Sequence, residues 1–177
     1  MANEYLKHED LDERLSRLAR HPDSYDRRVH ALVDEVDRQG LALEIADPAG
    51  WRRGDAGDHR RAPGSIEEQF RAEVDRIITH DREEEALLAR RIEFARMRLD
   101  RALERSGLEP EDLSGKAPTR SGEESALGGE QRAFSDEVVA RWNELHALRV
   151  EMVERNLYLV LINVERYSQL RVSRMDL

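Results

Sequence analysis

The 177-residue chain contains no cysteine, which excludes disulfides and thiolate metal sites. Aromatic residues make up only 5% and hydrophobic residues only 39%, so any core is expected to be thin and built from helices rather than large rings. Lysine is nearly missing as well. Lys7 and Lys116 are the only two among 29 basic residues, and the rest are arginine, the side chain suited to bidentate contacts with carboxylate or phosphate. No apolar run approaches the roughly 20 residues a bilayer-crossing helix needs; the longest, LYLVLI, spans Leu157–Ile162. The first residues, MANEYLKHEDLDERL, offer neither a basic n-region nor an apolar h-region, so no secretory leader is read there and a cytoplasmic protein is expected.

Charge is what the chain has in quantity. Asp, Glu, Lys and Arg account for 38% of residues, and 38 acids against 29 bases give a formal net charge of −9. That balance favours solubility and opposes loose attraction to nucleic acid, and it does not choose a fold.

Hydrophobic spacing points to an all-α protein. Leu11, Leu15 and Leu18 recur at helical intervals over 9–20, ended by His21-Pro22. Val29, Leu32, Val33 and Val36 form a second stripe over 24–39, with Gly40 as its stop. LALEI then alternates, as a short strand or an extended cover would. Residues 1–45, with 11 acids against 7 bases, read as a mobile acidic helical arm. Residues 46–64, rich in Gly, Pro and Asp, read as a linker. Ser65 with Glu68 has capping-box spacing and opens a helix carrying Phe70, Val74, Ile77 and Ile78. Asp81 can cap the next helix, which places Leu88, Ile92, Ala95 and Leu99 on one face and stops at Gly107.

Residues 106–137 lack periodicity, carry an acidic excess and read as a flexible insert. From Ser135 onward one long helix is expected to reach at least Tyr167, because Trp142, Leu145, Leu148, Met152, Leu159 and Val160 keep the helical period with no Gly or Pro between them. Within it, LYLVLI is apolar all round. Such a helix should be buried on several sides, and the helices carrying Phe70 to Leu99 are the expected cover.

Catalytic chemistry finds no support. There is no Ser in a G-x-S-x-G setting, no H-E-x-x-H pair, and no phosphate-cradling glycine pattern among Gly50, Gly54 and Gly57. No catalytic residue, metal, cofactor or small-molecule substrate is therefore expected. Trp51-Arg52-Arg53 with Arg60-Arg61 could touch nucleic acid, but Asp55 and Asp58 lie between them and favour a solvated loop.

Two segments carry a resemblance. EEEALLARRIE (Glu83, Glu84, Glu85, Leu88, Ala89, Arg91, Ile92 and Glu93 being the matching positions) resembles the region 1.2 element of sigma-70 family transcription initiation factors, with Phe70 where that region has a tyrosine. MVERNLYLVLINVERY resembles region 2.1, with Asn156, Leu157, Leu159, Val160 and Tyr167 at the expected positions. Asp176 and Leu177 stand where the family begins the D-L-I-Q-E-G element of region 2.2, its polymerase-binding helix. More faintly, residues 1–45 resemble the acidic region 1.1. The resemblance covers 65–105 and 145–177, under half of the chain.

It implies the N-terminal portion of a longer bacterial factor that binds RNA polymerase core at the beta-prime clamp and directs promoter DNA recognition and melting, with no membrane partner. Three departures stand out: Tyr158 replaces an Arg, Arg171 a Gly, and Glu68 an Arg on the helix that the family sets near promoter DNA. Arg71 and Arg76 remain there as candidate nucleic-acid contacts, and Asp176 and Leu177 as candidate core contacts. The alternative is a non-enzymatic regulatory protein that keeps a sigma-like helix pair to bind polymerase or another partner.

Overall fold

The computed structural model describes residues 4–54, 64–113, 118 and 134–167. Among them are six α-helices and one pair of two-residue strands, in the order β1 (Tyr5–Leu6), α1 (His8–Ala19), α2 (Pro22–Arg38), β2 (Ala42–Leu43), a 3-10 turn (Pro48–Trp51), α3 (Ile66–Asp75), α4 (Arg82–Ser106), a second 3-10 turn (Pro110–Leu113), α5 (Asp136–Arg155) and α6 (Tyr158–Tyr167). The all-α expectation holds. No described helix is long and apolar enough to cross a membrane.

Helix boundaries follow local chemistry. The Ser65 side chain accepts from the Glu68 N–H while the Glu68 carboxylate accepts from the Ser65 N–H, a capping box that opens α3. Asp81 accepts from the N–H groups of Glu83 and Glu84, both at 2.8 Å, and the Glu84 carboxylate accepts from the Asp81 N–H. The Ser135 hydroxyl takes the Val138 N–H at the start of α5. At the other ends, Gly40 (φ 68°) and Gly107 (φ 64°) adopt left-handed backbone. Leu41 N–H then reaches back to the Val36 carbonyl, and Leu108 N–H to Leu103, as a Schellman stop requires.

The chain divides into two compact units. The first comprises 1–45 and 86–149, the second 46–85 and 150–177. In the first, α1 and α2 bury Leu11, Leu15, Val29, Val33 and Val36, while β1 and β2 pair in parallel with Leu6 opposite Leu43. Phe94, Leu99, Leu103, Val138, Leu145 and Leu148 complete this core. Residues 4–45 are therefore built into this unit and do not form a unit of their own. Their acids explain why: Asp37 pairs with Arg98 at 2.8 Å, Asp12 with Arg91 at 3.1 Å and Asp34 with Arg101 at 3.7 Å, so much of the acidic surplus is spent on arginines of α4.

The second unit corrects two more expectations. The start of the supposed linker is packed. Trp51 is 5% exposed, its indole N–H donates to Glu154, and Arg52 grips both oxygens of the same carboxylate. Residues 55–63 lie outside the described part, as do 114–117 and 119–133 of the expected 106–137 insert, while Leu108, Pro118 and Phe134 of that insert are buried.

The single long helix over 136–167 is also absent, because α5 and α6 are separated at Asn156-Leu157. There the Asn156 side-chain amide donates to the Met152 carbonyl at 2.9 Å, and the backbone turns on i→i+3 bonds from Asn156 N–H to Val153 and from Leu157 N–H to Glu154. Asparagine offers the chain a local alternative to the helical ladder, so a break needs neither Gly nor Pro.

Candidate functional site

The α6 sequence, YLVLINVERY, was expected to lie under other helices, yet none of its residues is buried. Leu159 is 44% exposed, Val160 46% and Ile162 51%, with Tyr158 and Tyr167 also open. Of the helices expected to supply the cover, α4 has its residues 86–106 in the first unit, where Leu88, Ala95, Leu99 and Ala102 are buried. In its own unit α6 lies against the ten-residue α3, where Arg71 donates to the Glu165 carboxylate at 2.7 Å. A helix this short hides little of a side-chain set that is apolar all round. Ile66 on α3 (72% exposed) and Val153 at the end of α5 (62%) add to the uncovered apolar surface of this unit. Clustered exposed apolar residues mark interaction surfaces far more often than scattered single ones do.

Polar contacts hold another part of this unit together. Glu151, 4% exposed, accepts from the Arg155 guanidinium at 3.4 Å and faces the His80 ring at 3.6 Å. Arg155 also donates to the Ile78 carbonyl and reaches Glu84 at 3.8 Å. These bonds join the α3–α4 connection to the end of α5, and with the Trp51–Glu154–Arg52 cluster they fix the platform from which α6 departs.

The residues singled out from sequence are dispersed. Glu83, Glu84 and Glu85 form the exposed first turn of α4. Leu88 is fully buried in the first unit, Arg91 is buried against Asp12, Ile92 and Glu93 are half-buried, and Ala89 is exposed. Hydrogen bonding from Arg96 holds the Glu93 carboxyl below the usual carboxylate range. Asn156 and Leu157 make the α5–α6 turn, Leu159 and Val160 lie on the open α6 surface, and Tyr167 ends it.

The two candidate nucleic-acid residues are both engaged by carboxylates, Arg71 by Glu165 and Arg76 by Glu73 at 3.3 Å, with the Arg76 carbonyl also accepting from the Arg53 N–H. The burial of Trp51 removes the ring of the Trp51-Arg52-Arg53 cluster from any stacking role. Asp176 and Leu177 lie outside the described residues.

Sequence reasoning missed the strongest electrostatic feature of the first unit. Arg98 is 0% exposed, and its guanidinium donates to Asp37 at 2.8 Å, Glu144 at 2.9 Å and the Leu41 carbonyl at 2.6 Å. Arg141 donates to the other Glu144 oxygen at 2.7 Å, and that oxygen also accepts the Leu43 N–H. Burial pushes the Arg98 guanidinium below its usual range, opposed by the neighbouring Glu144 and Asp37. Burial likewise raises the Asp12 carboxyl, with Arg91 opposing it. A signal was available. Leu88, Arg91, Ala95, Arg98 and Ala102 follow one another at helical spacing, so both arginines occupy positions of the apolar stripe.

Among the described residues, no group of three or more His, Asp or Glu side chains is placed to hold a metal ion. Comparison with protein-family models, curated proteins and solved structures finds no match to this chain.

Proposed function

We propose that the chain works by binding, as part of a sigma-70-type transcription initiation factor whose partner is the RNA polymerase core. The observation that carries this reading is the uncovered apolar surface of α6, because it falls on the very segment that resembles region 2.1. The region 1.2-like sequence supports it by lying on a capped helix that precedes α5 and α6 in the family's order. In this reading the longer factor would recognise and melt promoter DNA, where phosphate contacts position the protein and base contacts specify the site. The chain is poorly equipped for DNA by itself: its net charge is −9, and Arg71 and Arg76 are already held by carboxylates.

That neutralisation favours a second reading, a regulator that keeps the sigma-like helices and occupies polymerase without directing promoters. The test is co-elution of the purified 177-residue protein with purified bacterial RNA polymerase core in size-exclusion chromatography. Binding that is lost in a Leu159→Asp/Ile162→Asp variant of unchanged helical content is expected, and failure of the unaltered protein to co-elute sinks both readings. Competition then separates the two. A regulator displaces a functional sigma factor and suppresses promoter-dependent transcription, whereas a sigma portion competes for core and retains promoter selectivity once its chain is extended with the promoter-reading regions of a known sigma factor.

A further inference from the structure

We draw no further inference here: the strongest candidate, the groove of about 870 Å³ in the first unit between the C-terminal half of α4, the second 3-10 turn and α5, floored by Leu99, Leu103 and Leu145 and edged by Trp142 and Arg149, carries nothing because no feature of the structure shows what covers it.

Discussion

Replacing Arg98 by methionine tests the account of the first unit most directly. The substitution roughly conserves volume, so the cavity contribution stays small and the electrostatic one is isolated. Arg98 leaves behind Asp37 and Glu144, whose side chains are only 5% and 7% exposed. Removing one partner of a buried ion pair costs about 3–5 kcal/mol, chiefly because the other charge stays buried without compensation. Here the compensation is partial. Asp37 keeps Arg105 at 3.1 Å and Arg141 at 3.6 Å, while Glu144 keeps Arg141 at 2.7 Å and the Leu43 N–H at 3.0 Å.

The lower end, about 3 kcal/mol, is therefore expected, a large share of the roughly 5–15 kcal/mol that stabilises a typical domain. With a urea m-value of about 2 kcal/mol/M, the midpoint should fall by about 1.5 M. The assay is urea denaturation followed by circular dichroism at 222 nm. The comparator is Arg96→Met, which removes exposed pairs to Glu93 and Asp100 and should cost under about 1 kcal/mol. A midpoint for Arg98→Met equal to or above that of Arg96→Met would refute the reasoning, since the buried network would then contribute nothing its apolar replacement does not.

The other predictions use different perturbations. Leu159→Asp/Ile162→Asp should leave the unfolding free energy within about 0.5 kcal/mol of the parent's, as substitutions at open positions do, while reducing fluorescence of the apolar-surface dye ANS; a large stability loss would mean that α6 is covered. Gly107→Ala should destabilise by about 1 kcal/mol, because a Cβ there meets no neighbouring atom but must sit at φ 64°; an unchanged thermal midpoint would contradict the left-handed stop.

Acid titration should separate Asp12 from Glu93. The Asp12 carboxyl is raised in the fold, so the folded state takes up its proton first. The parent should gain stability relative to Asp12→Asn as pH falls from the raised value to 3.8. Glu93 is lowered, so its contribution is complete above 4.5. Relative to Glu93→Gln it is lost as pH falls through the depressed folded value. Urea midpoints from pH 7 to pH 3 should show slopes of opposite sign, and slopes of one sign would overturn the two assignments.

Much of the fold could be read from residues alone, because the chemistry that starts and stops helices is local. Ser65 with Glu68, Asp81 and Ser135 cap the helices they were expected to cap, and Gly40 and Gly107 end theirs. A cap depends on side chains within about four positions of one another, and a left-handed stop on one residue's freedom. The apolar stripes of α1 and α2 were legible for the same reason, since 3.6-residue periodicity is written along the chain. The α5–α6 break was not, because Asn156 competes with the backbone through a bond that only the folded geometry selects.

The sequence by itself therefore determined the helical class, most helix ends and the absence of any membrane-length apolar run. Only the tertiary structure decided where the arginines on the α4 stripe find their carboxylates: Arg98 meets Asp37 across 61 positions and Glu144 across 46. Tertiary structure also left Tyr158, Leu159, Val160 and Ile162 of LYLVLI exposed, the short α3 being the helix that meets α6 in its own unit. Hydropathy states that such a segment requires burial, and which surface provides it depends on contacts that periodicity does not encode.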